Sequence, residues 1–189
     1  WRTERGIRYG YKASATVYSC INLIAKSASS VPWSVYKKNR NNDWEVVPGH
    51  PLETLIEKPN LFMSRKDLIE RMTTHLYLGG NAILTKNRYN KIPAELWIMP
   101  PDAIKVAPSK ENFISHYEFD QDGIKIRLEP EDVIHNKFID PSNMYWGMAP
   151  IQACAKQIDT DVSALEWNKV SLQNRAITDG VFSFDQPLT

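Results

Sequence analysis

The sequence has little of what secreted, membrane-spanning or metal-binding proteins need. Only two cysteines occur among 189 residues, and no Cys/His cluster has the spacing of a zinc site. Cys20 and Cys154 fall in segments with helical periodicity, which favours small buried thiols over a disulfide. No apolar run reaches the roughly 20 residues needed to cross a bilayer, and the first residues do not form a signal peptide. A shortened chain from a cytosolic or virion protein is therefore favoured over a secreted one.

Signatures of the common enzyme classes are also missing. The sequence contains no Gly-x-Ser-x-Gly, no phosphate-binding loop, no His-Glu-x-x-His and no dinucleotide fingerprint. The Gly-Gly-Asn at 79–81 follows a predicted helix and precedes a predicted strand, which is the reverse of a phosphate-binding arrangement. The sequence therefore predicts a protein that is not an enzyme and that has no catalytic residue, no metal and no cofactor.

Charge is unevenly distributed, although the formal net charge is only +1. Residues 1–42 carry eight Lys and Arg against one Glu, whereas residues 110–140 carry four against eight acids. Two interpretations compete: a sequence-independent nucleic-acid surface near the N terminus, and opposite faces that meet in a head-to-tail assembly. For any single charge, an ordinary solvated position is the commoner explanation.

Apolar residues at three- and four-residue steps predict four helices. Ser14 is placed to cap the first helix, and Ser64 with Asp67 forms a capping box at the third. The Gly pair at 79–80 ends that third helix with the left-handed residue that such an end requires. The predicted helices cover residues 15–29, 50–56, 64–79 and 150–177.

The helix predicted over 150–177 organises the chain. Pro150 starts it where the missing N–H costs nothing, and no other Gly or Pro interrupts it. At ~1.5 Å per residue it is roughly 40 Å long, enough to cross a small domain. Lys169 is the single break in its apolar face. That face comprises Ile151, Ala155, Ile158, Val162, Leu165, Leu172 and Ala176.

Alternating segments predict hairpins between these helices. The clearest turn is Asp-Gly at 122–123, between two alternating segments. The order of elements predicts an α+β fold with mostly antiparallel strands packed on helices and one long helix near the C terminus. Residues 1–13 show no period and are expected to form an extended arm. The predicted strands cover residues 33–37, 43–47, 81–87, 94–99, 104–107, 116–120, 124–128, 133–138 and 180–184.

The nearest approach to a catalytic cluster consists of Glu131, Asp132, His135 and Asp140. Because successive side chains of a strand point to opposite faces, this spacing does not create an acid–base pair. For this reason, a metal-dependent hydrolase or nuclease centred on His135 is kept only as the alternative function.

Several short phrases, taken together and in order, resemble the portal proteins of tailed bacteriophages of the siphovirus type. They include Leu-Gly-Gly-Asn-Ala at 78–82, Val-Ile-His at 133–135 and Gly-Met-Ala-Pro-Ile at 147–151. The remaining phrases lie at residues 14–25, 31–32, 174–176 and 180–181.

This resemblance implies a non-enzymatic subunit of a ring, typically of twelve copies, at one capsid vertex of the virion. Such a ring assembles in the host cytoplasm, meets terminase, capsid and head–tail adaptor proteins, and passes double-stranded DNA without sequence specificity. The resemblance implies no membrane partner. The resemblance further implies that residues 1–189 form a single wing-like domain, without the family's stem, clip and crown.

In a ring, each subunit presents two different surfaces to its neighbours. The uneven charge then suggests that basic residues near the N terminus face acidic residues of the adjacent subunit. The candidate interface residues are Arg2, Arg5, Arg8, Lys37, Lys38, Arg40, Glu129, Glu131 and Asp132.

Overall fold

The computed structural model describes residues 6–121 and 123–174. The predicted strand at 180–184, the end of the predicted long helix, Arg2 and Arg5 lie outside the described residues. No helix in the described ranges is long and apolar enough to cross a membrane. The helices are α1 (Ala15–Ser30), α2 (Pro51–Glu57), α3 (Arg65–Gly79), α4 (Pro150–Ala153) and α5 (Ala155–Gln173).

Eight strands are described, and every pairing between them is antiparallel. They form a two-stranded hairpin β1-β2 and two three-stranded sheets with the orders β4-β3-β8 and β5-β6-β7. The predicted α+β class with antiparallel strands is confirmed. The strands are β1 (Tyr36–Lys38), β2 (Trp44–Val46), β3 (Asn81–Tyr89), β4 (Ile92–Met99), β5 (Ile104–Ser109), β6 (Phe113–Gln121), β7 (Ile124–Leu128) and β8 (Val133–Lys137).

Local signals in the sequence placed the helix ends correctly. The Ser14 side chain accepts a hydrogen bond from the Val17 N–H at 3.4 Å. The Ser64 N–H donates to Asp67 Oδ2 at 2.9 Å, and the Asp67 N–H donates back to Ser64 Oγ at 3.3 Å. Gly80 ends α3 with φ 73°, a conformation that glycine adopts without steric cost.

Two predicted elements have a different form in the structure. Gly6–Tyr11 is a π-helix that contacts α1, α3 and α5, so the extended-arm prediction is wrong over those residues. The predicted long helix is broken at Cys154, whose φ of −94° and ψ of 4° separate α4 from α5. The Cys154 N–H bonds to the Ile151 carbonyl at 3.2 Å, a tight last turn that is common at helix ends. Cys154 and Cys20 are both exposed, not buried as predicted.

The strand β3 lies at the centre of the fold because its neighbouring residues serve two different cores. Ile83 is fully buried and packs with Ile104 and Tyr117 of the second sheet. Leu84 points the other way and packs with α3 and β4. A third core joins α1, α3, α4 and α5 through Ile21, Leu78, Ala149, Ile151 and Ile158.

Candidate functional site

His135, the centre of the alternative hydrolase, is a structural side chain in β8. Its Nε2 lies 3.0 Å from Asn81 Oδ1, and its Nδ1 lies 3.4 Å from the Tyr117 hydroxyl. Because Asn81 Oδ1 also accepts the Gly147 N–H at 2.8 Å, the oxygen is an acceptor and Nε2 carries the proton. Burial, with a smaller effect of the Lys137 charge, lowers the pKa of His135 to about 4. The ring is therefore neutral near pH 7.

Two of the three acidic side chains near His135 in the sequence, those of Asp132 and Asp140, interact with other groups. Asp132 forms an ion pair with Arg88, whose Nη2 also donates to the Glu131 carbonyl at 2.9 Å. Asp140 accepts the Ser142 N–H at 2.8 Å and organises its own turn. Among the described residues, no group of three or more His, Cys, Asp and Glu could hold a metal ion. The hydrolase alternative is not supported.

The candidate interface residues lie apart from this centre. Arg8 is exposed on the π-helix, and Lys37, Lys38 and Arg40 are exposed on the β1-β2 hairpin. The Lys38 ammonium lies 5.3 Å from the centre of the Trp44 ring. Within residues 6–121 and 123–174, the three hairpin cations make no ion pair with the acidic candidates.

Two of the three acidic candidates already have partners within the chain. Arg127 Nε lies 2.9 Å from the Glu129 carboxylate, and Asp132 is paired with Arg88. The side chain of Glu131 is exposed, and no ion pair involves its carboxylate in the described part of the chain.

A buried network of hydrogen bonds surrounds the side chain of Asn81, the first residue of β3. Asn81 is 3% exposed. Its Nδ2 donates to the Gly79 carbonyl at 2.7 Å and to the Gly147 carbonyl at 3.2 Å. Its Oδ1 accepts from the Gly147 N–H and from His135. A buried amide with this many partners fixes the distance between the segments it joins.

The backbone around Asn81 is packed so closely that two glycines are required. A Cβ on Gly80 would overlap the Gly147 carbonyl, and a Cβ on Gly147 would overlap the Gly80 carbonyl and lie 2.6 Å from Phe138 O. The Phe138 N–H donates to the Gly80 carbonyl at 2.9 Å. The end of α3, the end of β8 and the segment before α4 therefore meet backbone to backbone.

Aromatic rings close this junction on one side. The Trp146 ring lies 5.5 Å from the His135 ring, and the Tyr117 ring lies 5.8 Å from it, both edge-on. Asn81, Tyr117 and Trp146 were not predicted as site residues. A Gly-Asn pair after a helix and a Gly shortly before a helix-starting Pro were the available signals, but neither spacing shows that the two segments touch.

The junction brings together three of the phrases on which the resemblance rested. The Gly-Asn at 80–81, His135 and the Gly147 that leads into α4 contact one another directly. Their contacts hold the segment that leads into α4 against the end of α3 and the end of β8. The site therefore positions a helix, and its hydrogen bonds are all used within the fold.

Residues 15–189 match the family model described as phage portal protein. A probable portal protein of Streptomyces phage phiC31 is 23% identical over 175 residues, which are 88% of this chain and 38% of that protein. An uncharacterized protein of Rickettsia bellii (strain RML369-C) is 30% identical over 176 residues, 90% of this chain and 44% of that protein.

The fold is similar to a chain in the neck of an empty gene transfer agent particle, computed with C6 symmetry. The TM-score is 0.82 at 24% identity, over 96% of this chain and 47% of that one. The chain thus spans less than half the length of the relatives it matches. Since the family model covers all but the first 14 residues, this chain belongs to the phage portal protein family.

Proposed function

We propose that this chain is the wing portion of a portal subunit in a phage or phage-like particle. The subunit is a structural part of a ring at one capsid vertex, which forms the conduit for DNA packaging and ejection and the head–tail junction. The observation that carries this proposal is the family match over residues 15–189. The fold likeness to a neck protein of a gene transfer agent particle supports it.

The proposed subunit does no covalent chemistry and uses no metal or cofactor. Among the described residues, the side chains of His135, Asp132 and Asp140 each bind other groups of the fold, which is consistent with a structural role for them. The partners are copies of the same chain in a ring, typically of twelve, and double-stranded DNA that passes without sequence specificity. Terminase, capsid and head–tail adaptor proteins bind mostly through regions beyond this chain.

The proposed location is the portal vertex of the virion, with assembly in the host cytoplasm. In the ring, the basic surface near the N terminus faces an acidic surface of the adjacent subunit. Lys37, Lys38 and Arg40 are exposed and form no ion pair within residues 6–121 and 123–174, which supports this contact. On the acidic side, Glu131 is the better candidate, because Glu129 and Asp132 already form ion pairs.

Electron microscopy of the full-length protein tests the proposal. We expect closed rings with a central channel that takes up stain. Single subunits that persist at concentrations well above those used for imaging would contradict the proposal. Open filaments would also contradict it, because a portal subunit must close its ring.

A further inference from the structure

An open cleft lies between the residues that lead into β1 and one side of α2. Its volume is about 290 Å³, near the lower end of the range for ligand pockets, so it has room for a few side chains. Trp33 and Leu52 line it and are each 46% exposed. The apolar walls consist of Trp33, Val35, Leu52 and Ile56.

The main chain beside this cleft is extended and is paired on one side only. The Val35 carbonyl accepts the Val47 N–H at 2.8 Å, so the backbone groups of Val35 point toward β2. Because such groups alternate in direction along a strand, those of Ser34 and Tyr36 point to the other edge. In the described ranges no third strand pairs with β1, and Ser34 also lines the cleft. An open strand edge therefore runs beside an apolar cleft.

Carboxylates outnumber cations at the rim of the cleft. Glu53 and Glu57 both line it and lie one turn apart on α2. Arg65 also lines it, but its Nε lies 2.9 Å from the Glu57 carboxylate and its Nη1 donates to the Val31 carbonyl at 2.6 Å. Glu53 forms no ion pair in the described part of the chain. The rim therefore favours a positive charge on whatever binds there.

An extended polypeptide matches all three features. Its main chain can pair with the open edge while every second side chain enters the cleft, as when a strand is added to a sheet. We propose that this cleft binds an extended segment of another protein, in which apolar and polar side chains alternate and a Lys or Arg lies beside Glu53. The added strand also supports the β1-β2 hairpin, since two strands alone are only marginally stable.

Selection of peptides on the full-length protein tests this proposal. The probe is a library of peptides of about ten residues, in which Val, Ile, Leu or Phe alternates with Ser, Lys, Arg, Asp or Glu. Peptides that bind the unchanged protein are counter-selected on Leu52→Asp, which places a charge at a half-exposed position of the cleft. We expect the selected peptides to be rich in Lys and Arg and poor in Asp and Glu. Failure to enrich any peptide on the unchanged protein over Leu52→Asp would overturn the proposal.

Backbone methylation of a selected peptide tests the main-chain pairing. Methyl groups on the peptide nitrogens that face the open edge remove hydrogen-bond donors and leave the side chains unchanged. Two lost hydrogen bonds are expected to weaken binding by about tenfold, measured by fluorescence anisotropy of the labelled peptide. Methylation of the nitrogens between them is the matched control and should have a much smaller effect. Equal losses from both sets would overturn the strand pairing.

A charge exchange tests the role of the rim. Glu53→Lys is expected to weaken binding of a Lys-containing peptide by about threefold, since the pair is partly exposed. Replacing that Lys of the peptide with Glu should restore binding to Glu53→Lys. Thr54→Lys is the matched control, because Thr54 is an exposed neighbour on α2 that does not line the cleft. Equal losses from Glu53→Lys and Thr54→Lys would overturn the proposed charge contact.

Comparison of assembled rings with single subunits identifies the occupant and separates this inference from the proposed function. We expect the selected peptides to bind both forms equally. Peptides that bind single subunits but not rings would overturn the proposal, because a neighbouring copy would then cover the cleft. Rings that bind no peptide would also overturn it and leave the portal assignment intact, whereas failure to form rings bears on the proposed function alone.

Discussion

Gly80 and Gly147 face each other so closely that neither has room for a Cβ atom. Gly80 also adopts φ 73°, whereas the requirement at Gly147 is space alone. The contact joins the C-terminal end of α3 to the segment that leads into α4. The position of α4 relative to α3 thus depends on two residues that contribute no side chain.

Gly147→Ala is expected to destabilise the domain by about 1–3 kcal/mol, because the added methyl group must displace backbone atoms. Phe138 N would lie 2.8 Å from the new Cβ. Chemical denaturation followed by circular dichroism measures the effect. Gly49→Ala is the control, since nothing lies within 4 Å of its Cβ position and only its φ of 71° is unfavourable. A cost at Gly147 no larger than at Gly49 would show that the contact yields easily.

Asn81→Ala is expected to lower the free energy of unfolding by at least about 2 kcal/mol, because it leaves buried partners without hydrogen bonds. The affected groups are the Gly147 N–H and His135 Nε2. Thermal unfolding measures the loss. Asn87→Ala is a matched control in the same strand, since the Asn87 amide makes an exposed bond to Glu95 and should cost less than about 0.5 kcal/mol. Similar losses of unfolding free energy for Asn81→Ala and Asn87→Ala would show that the buried hydrogen bonds of Asn81 do not stabilise the junction.

Acidification is expected to destabilise the domain between about pH 6.5 and pH 4. Burial lowers the pKa values of both His75 and His135 to about 4. The unfolded chain, with pKa values near 6.5, then binds protons that the folded chain does not. Stability therefore rises with pH across this window and levels off above it. His75→Gln with His135→Gln should flatten that slope when the free energy of unfolding is measured at intervals of pH. An unchanged slope would contradict the buried neutral state of both rings.

Ser64→Ala is expected to cost about 0.5–2 kcal/mol through loss of the α3 cap. It should also raise the pKa of Asp67, which the backbone and side-chain hydrogen bonds of Ser64 hold low. NMR titration of the Asp67 carboxyl measures the second effect. Ser163→Ala, in the middle of α5, is the control and should be neutral. A destabilised variant with an unchanged Asp67 pKa would show that the Ser64 side chain stabilises α3 but does not hold the pKa of Asp67 low.

Reversal of the hairpin charges tests the proposed basic–acidic contact between neighbours. Lys37→Glu, Lys38→Glu and Arg40→Glu together are expected to weaken ring assembly of the full-length protein and to reduce its sensitivity to salt. Sedimentation at several salt concentrations measures both. Lys110→Glu, at an exposed turn, is the single-charge control. Unchanged assembly and unchanged salt dependence in the triple variant would show that this contact between neighbours does not form.

Features set by neighbouring residues were predictable from the sequence. The capping box of Ser64 and Asp67 and the left-handed Gly80 follow from local chemistry, and both are present. The break at Cys154 was not predictable, because neither Gly nor Pro marks it. Periodicity placed Leu165 and Leu172 on the apolar face of the long helix, but burial of that face depends on what lies against α5, and both side chains are exposed.

The candidate site was predictable only as separate pieces. The phrases containing Asn81, His135 and Gly147 were recognised, and the family resemblance drawn from them is confirmed. Their contact was not predictable, because it depends on the pairing of β3 with β8, which sets Ile83 opposite His135. Long-range register of this kind is determined by the whole core and not by any one segment.

The position of β3 between two cores also bears on how the domain loses its structure. Ile83 and Leu84 are adjacent in the chain but belong to different cores, so a displacement of the strand disturbs the packing of both cores. Disruption on one side is therefore transmitted to the other through a single peptide unit. The helical layer and the second sheet should melt together as one cooperative unit, and a spectroscopic probe in either one should report the same midpoint.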